Sequence, residues 1–154
     1  MSELKEGDAA PKFTAKDQNG NTVALDDFTG KDVILYFYPK DDTPGCTAEA
    51  CDFRDNYQSL QQQGFTVIGV STDDEKSHQK FVNKYQLPFT LISDTEKSIV
   101  EAYGVWIEKN MYGKKYMGTA RKTFIIEKGG VIKKIIEKVD TSASSQQVID
   151  LLNK

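Results

Sequence analysis

The chain has 154 residues, of which 38% are apolar and 28% charged, with a formal net charge of −3. That length suits one domain with a single core, and the composition excludes a disordered or fibrous chain. With the charge signs interspersed there is no basic stripe for nucleic acid. The longest apolar runs, such as "VILYFY" and "TVIGV", are too short to span a membrane.

The start, "MSELKEGDAAPKF", is charged and lacks the apolar core of a secretory signal. In "FTAKDQNGNTVAL", Asn19-Gly20 sits between two alternating runs, which predicts a β-hairpin. "DVILYFYP", Asp32 to Pro39, is nearly continuous in apolar residues, as expected of a central strand buried on both faces. From about Pro44 to Gln63, Ala50, Phe53, Tyr57 and Leu60 recur at helical spacing, with Gly64 suited to the C-terminal cap. "FTVIGVS" predicts a second buried strand, and "DDEKSHQKFVNKYQ" an amphipathic helix. "FTLIS" predicts a short strand, and "DTEKSIVEAYG" a helix capped by Asp94 or Thr95 and stopped by Gly104. The polar stretch that follows Trp106 reads as a long loop or irregular arm. "RKTFIIEKGGVIKKIIEKV" is a hairpin around Gly129-Gly130, and "SASSQQVIDLLNK" a last helix. Strands alternating with helices imply parallel crossovers, and the late hairpin adds an antiparallel edge. A thioredoxin-like α/β fold fits this order best: a mixed central β-sheet flanked by helices, with an N-terminal β-hairpin, over a single domain 1–154.

Only two cysteines are present, both in "YPKDDTPGCTAEACDFRD". So few thiols point to a reducing, cytosolic compartment rather than a disulfide framework. Cys46 falls in the first turn of the long helix, where Thr43 can cap through its hydroxyl and Pro44 suits the first helical position. Unpaired N–H groups and the positive end of the helix dipole there favour thiolate over thiol. Cys46 is also in register with Ala50 and Phe53, so it faces inward. The same placement suits two cysteines that merely pack in the core. Four residues separate them, so this is not a C-x-x-C redox motif. One distant histidine, His78, does not complete a zinc set. As the base of a cysteine protease it is poorly placed, because "EKSHQK" reads as a solvated helix face. On an ideal helix, positions 46 and 51 have Cα atoms roughly 8.7 Å apart, beyond the roughly 7 Å that a disulfide tolerates. A bond between them requires the helix start to unwind.

"PKDDTPGCTAEACDFRD" resembles the P-x-x-x-T-x-x-C pattern of the peroxiredoxins, with Pro39, Thr43 and Cys46 in place. The second cysteine five positions on is similar to the bacterioferritin-comigratory-protein (PrxQ) branch. "LKEGDAAPKFTAKDQNG", "YGVWIEKNMYGKKYMG", "ARKTFII" and the "GGVI" hairpin continue the resemblance along nearly the whole chain. It implies a thiol-dependent peroxidase acting on hydrogen peroxide and organic hydroperoxides. Cys46 would be the peroxidatic cysteine and Cys51 the resolving one, closing an intramolecular disulfide that thioredoxin or a similar dithiol protein reduces. Thr43 and the Cys46 backbone N–H would hold the peroxide. Arg121, by its "R-x-T-F" position, would stabilise the thiolate and bind peroxide, oriented by Glu49, while Pro39 walls the site from water. Arg54 reads as a surface or capping group, and Trp106 and the nearby tyrosines carry no assigned role. With no suitable metal-ligand set and no Gly-rich nucleotide loop, no cofactor is expected. Charge and hydropathy predict no nucleic-acid or membrane partner in a cytoplasmic protein, and the resemblance adds a monomer. A protein thiol–disulfide oxidoreductase or a redox-sensing module are the other functions these thiols would suit.

Overall fold

A computed structural model describes residues 4–152. The N-terminal hairpin forms as expected from β1 (Thr14–Asp17) and β2 (Thr22–Ala24). Gly20 takes φ +79°, and the Asp17 carboxylate accepts from the Asn19 and Asn21 N–H groups at 2.8 and 3.0 Å, which fixes the turn. A single 3₁₀ turn at Leu25–Phe28 leads into β3 (Asp32–Phe37). Then follow α1 (Pro44–Gln62), β4 (Phe65–Ser71), α2 (Glu75–Tyr85), β5 (Thr90–Ser93) and α3 (Ser98–Ala102). The chain continues through β6 (Trp106–Met111), β7 (Lys114–Thr119), β8 (Lys122–Ile126), β9 (Ile132–Ile136) and α4 (Ser144–Leu152).

Seven strands form one mixed sheet in the order β2-β1-β5-β4-β3-β8-β9. β3, β4 and β5 run parallel, and β1 and β8 pair antiparallel on either side of them. The period of two in β3 sorts its residues between two cores. Val33, Leu35 and Phe37 pack with Ile99, Val100 and Tyr103 around α3. Ile34 and Tyr36, with Tyr38 just beyond the strand, pack with Ala50, Phe53, Phe81 and Val148 under α1, α2 and α4. Gly69 in β4 admits no side chain: a Cβ there would lie 2.8 Å from Leu91 and 2.9 Å from the Tyr36 ring.

Two expectations need correction. The stretch after Trp106 is not an irregular arm but a second, two-stranded sheet, β6 paired with β7 from Trp106↔Thr119 to Met111↔Lys114. It stands off the main sheet with both faces largely exposed, so no apolar–polar alternation marks it; Ile107, Met111, Tyr116 and Met117 all face solvent. Its turn, Tyr112-Gly113, has φ +53° and +81°, the two-residue hairpin geometry whose sequence signal is the glycine. The α3 segment is also shorter than expected. Asp94 to Lys97 form a turn, Lys97 takes φ +67° at the helix N-cap, and the Asp94 carboxylate accepts from the Val100 N–H at 2.8 Å.

Candidate active site

β3 delivers the chain to the sheet edge, and Pro39–Thr43 turns it into α1. Thr43 is extended (φ −97°, ψ 156°) and its carbonyl accepts the Thr47 N–H at 2.8 Å, so by backbone it is the N-cap. Its hydroxyl does not cap the helix, contrary to expectation. It donates instead to the Lys40 carbonyl at 2.9 Å, bracing the loop, and its lone pairs remain able to accept. No side chain caps the helix start, so the first-turn N–H groups and the dipole are left to act on whatever enters the site.

Cys46 is 1% exposed and faces the core beside Tyr36 and Tyr38, as its helical register predicts; Cys51 is half-buried, and both are free thiols. Arg121, in the link between β7 and β8, reaches across to α1. Its Nη2 donates to Cys46 Sγ at 3.3 Å and its Nη1 to Glu49 Oε1 at 3.1 Å. Glu49 is 0% exposed, and its other oxygen accepts from the Ser144 hydroxyl at 3.1 Å, which brings α4 into the site. Burial pushes the Glu49 carboxyl up to about 7 against the pull of Arg121 and Ser144. For Arg121 burial disfavours the charge, but the Cys46 sulfur and Glu49 beside it hold its pKa above the ordinary value. A planar fork with one prong on sulfur and one on carboxylate is geometry that lysine cannot reproduce.

Gly45 is a site residue that its sequence context did not reveal. A Cβ there would lie 3.1 Å from Arg121 Nη2, so the absent side chain is what lets the guanidinium close on the sulfur. The pattern T-P-G-C held the signal, since glycine is a poor first-turn residue without such a reason. Pro39 is half-buried and lines a cleft of about 260 Å³ together with Lys40, Thr72, Trp106, Lys109 and Met117. Lys109 loses some of its affinity for a proton to burial and to the nearby Arg121 charge, while the Cys46 sulfur pulls the other way. Arg54 stays out of the site: it donates to Asp55 at 3.0 Å and to the Tyr85 carbonyl at the end of α2 at 2.8 Å.

His78 corrects the reading of "EKSHQK" as a solvated face: it is 0% exposed. It lies on the inner side of α2 with Phe81, one turn away, and the lysines and glutamine around it point outward. Among the described residues one group of acid and histidine donors converges, Asp41, Asp73 and His78, with ligand atoms within 4.8 Å of one another. Each is already taken up by hydrogen bonds to protein, so the cluster reads as a structural network and not a metal centre.

The chain matches the AhpC/TSA family model over residues 6–135. It belongs to that family. It is 44% identical to peroxiredoxin Bcp of Escherichia coli over 154 residues, covering 100% of this chain and 99% of that one. Its fold superposes on a cysteine mutant of Xylella fastidiosa PrxQ with a TM-score of 0.92 at 31% identity, covering 99% and 98% of the two chains. It also resembles the Xanthomonas campestris bacterioferritin comigratory protein, solved in trapped intermediate and ligand complexes bearing on its alkyl peroxide reduction. There the TM-score is 0.85 at 34% identity, over 92% of this chain and 90% of that one. The fold is therefore the thioredoxin-like fold of the peroxiredoxins, and the enzyme is a thiol-dependent peroxidase with a peroxide as substrate and a thioredoxin-type reductant.

Proposed function

We propose that Cys46 is the peroxidatic cysteine and Cys51 the resolving one, within a single domain spanning the chain. The observation that carries this is the Arg121 fork, which joins the Cys46 sulfur to the buried Glu49 carboxylate at the uncapped start of α1. The Cys46 thiolate attacks one oxygen of the peroxide. A sulfur–oxygen bond forms, the O–O bond breaks, and the departing oxygen leaves as alcohol or water after taking a proton, giving Cys46 sulfenic acid. Arg121 and the first-turn N–H groups offer positive charge and donors where charge develops on the oxygens, while the Thr43 hydroxyl, its hydrogen on the Lys40 carbonyl, can accept a hydrogen bond from the peroxide. Pro39 keeps bulk water from the sulfur. The Cys51 thiol then displaces the sulfenic hydroxyl, releasing water and closing a Cys46–Cys51 disulfide, which thioredoxin or a similar dithiol protein reduces.

Hydrogen peroxide and organic hydroperoxides are the substrates, and the cleft beside Pro39 offers the apolar faces of Trp106 and Met117 to an alkyl chain. A monomer in the cytoplasm is the working form; no helix of the described residues is long and apolar enough to cross a membrane. Direct exchange with protein disulfides is disfavoured by the 1% exposure of Cys46, which a small peroxide can reach and a folded partner cannot. The test is a single turnover of the reduced chain with hydrogen peroxide, counting thiols, beside Cys46→Ser and Cys51→Ser. The expected result is loss of both thiols per peroxide in the native chain and none in Cys46→Ser. Cys51→Ser should stop at a trappable sulfenic acid. Equal thiol loss in Cys46→Ser would remove Cys46 from the reaction, and continued thioredoxin-driven cycling of Cys51→Ser would remove Cys51.

A further inference from the structure

His78 is the only histidine of the chain, and it is wholly buried. Both its ring nitrogens face oxygen: Nδ1 lies 2.7 Å from Asp41 Oδ2 and Nε2 lies 2.8 Å from the Ile92 carbonyl. A carbonyl only accepts, so Nε2 carries a hydrogen. At 2.7 Å the contact between Nδ1 and the carboxylate also requires a proton between them. The pair therefore holds one proton that an isolated neutral histidine beside a carboxylate would not. Asp41 is saturated on its other sides, taking the Tyr38 hydroxyl on Oδ1 at 2.6 Å and the Ser77 hydroxyl on Oδ2 at 2.7 Å.

Asp41 lies in the Pro39–Thr43 loop that shapes the peroxide site. Its own N–H donates to Asp73 Oδ2 at 2.8 Å, and Asp73 is held by the Ser71 hydroxyl at 2.8 Å. The next residue, Asp42, takes φ +57° and accepts from Lys84 Nζ and the Tyr85 hydroxyl, both at 2.8 Å. The loop is thus clamped to α2 at two adjacent residues, and only the Asp41 clamp is sealed from solvent.

Resting on the proposed role of that loop in holding peroxide, we infer that His78 is a positioning residue, and that its shared proton with Asp41 is a latch fixing the loop against α2. Loss of the proton leaves one bare ring nitrogen against an oxygen, Nδ1 against the Asp41 carboxylate or Nε2 against the Ile92 carbonyl. Either repulsion shifts the ring and Asp41 with it, moving Pro39 and Thr43 relative to Cys46 and Arg121. The titratable groups facing the ring are Asp41 from the loop, Asp73 from the turn before α2, and Tyr38 from the end of β3. Tyr38 stays a donor, since burial and the Asp41 charge raise its pKa. For His78, burial works against the charged ring. The Asp41 bond and charge, the Ile92 carbonyl and Asp73 outweigh it and hold the pKa above the ordinary value. The latch is accordingly complete below about pH 6.5, the ordinary histidine value, and lost as pH rises through the raised one.

A lone histidine gives one ring signal by NMR, so the test begins with its pH titration in reduced Cys46→Ser protein, where the sulfur at 46 cannot move the spectrum. The ring and the amides of Asp41, Asp42 and Thr43 should share one midpoint above about 6.5. The second-order rate of peroxide consumption by the native chain should fall on the alkaline side with that same midpoint. His78→Gln alone should slow the reaction about tenfold, by leaving a buried carboxylate unpaired and the loop misplaced. His78→Gln combined with Asp41→Asn, an uncharged pair, should recover part of the rate and lose the alkaline step. Amides that stay still while the ring titrates would overturn the latch. So would a ring that remains charged until the chain unfolds, a native rate without the step, or a step that survives in the double variant. The amide readout needs no peroxide, so a chain that consumed none would remove the proposed function and leave the latch to be judged by its own titration.

Discussion

Replacing Glu49 by glutamine should stabilise the folded chain above neutral pH while slowing its reaction with peroxide. The carboxyl is wholly buried, and its pKa rises from 4.5 to about 7. Between those values the folded chain holds a proton that the unfolded chain has released, so stability falls as pH rises. The contribution is fully present below about 4.5 and gone above about 7. Over that interval, at about 1.4 kcal/mol per pH unit, ionising Glu49 in place costs roughly 3 kcal/mol. Glutamine keeps the volume and one acceptor for Arg121, and it has no charge to bury. The variant should match the native chain near pH 4.5 and exceed it by about 3 kcal/mol at pH 8. Urea unfolding of the reduced proteins at both pH values measures this as a midpoint gain of roughly 1 to 2 M at the higher pH only. Other titrating groups are common to both chains and cancel in the difference. The rate with peroxide should drop about tenfold, because an amide holds the guanidinium less firmly than a carboxylate does. A variant less stable than the native chain by the same amount at both pH values would refute the reasoning. It would mean that the bond to Arg121 outweighs the burial of the charge.

Arg121→Ala should slow peroxide consumption about 100-fold or more, by removing the donor 3.3 Å from the sulfur and the positive charge that would meet the charge developing on peroxide. Arg121→Lys should fall between, keeping charge without the fork, and stopped-flow rates of the three proteins would expose any other order. Gly45→Ala places a Cβ 3.1 Å from Arg121 Nη2, so it should slow the reaction about tenfold. An unchanged rate would show that the guanidinium yields without consequence.

The main sheet and the site were legible for the same reason. β3 and β4 are buried on both faces, α1 has one clear apolar face, and Cys46 falls on that face at a helix start where chemistry and packing coincide. Arg121 and Glu49 are ordinary surface types in sequence, and only the resemblance to a known family raised them; they meet through a contact 72 residues apart in the chain. The β6–β7 hairpin was hidden because it buries neither face, so the period of a strand has nothing to write itself upon. His78 was misread because its immediate neighbours are polar. The face it shares with Phe81 and Val82 is visible only at three- and four-residue spacing, and a histidine adds no apolar signal to it. The Thr43 hydroxyl was misread differently: it donates back to the Lys40 carbonyl at 2.9 Å and accepts no helix N–H.

The anchors on either side of the two thiols set how far the helix can open. Upstream, Asp41 and Asp42 are tied to Asp73, His78, Lys84 and Tyr85. Downstream, the Asp52 carboxylate accepts from the Ser145 N–H at 2.7 Å, and the next residue, Phe53, is 0% exposed. Between them, residues 44–51 are held by their helical bonds, the Arg121 fork, the Ser144–Glu49 bond and the packing of Cys46 and Ala50 on the core. Cys46 and Cys51 both lie in regular helix in the reduced chain, where about 8.7 Å separates their Cα atoms on ideal geometry, too far to bridge. The proposed Cys46–Cys51 disulfide therefore requires this stretch to unwind. Opening it exposes the amides that bonded its carbonyls, up to four residues further on. Hydrogen exchange of the disulfide form should show lost protection for residues 47–55, with Leu60 and β4 protected as before. Unchanged protection across residues 47–55 would mean that the bond forms without unwinding. Loss that ran on through Leu60 into β4 would mean that the Asp52–Ser145 anchor does not hold, and that the disulfide loosens the core rather than a bounded turn.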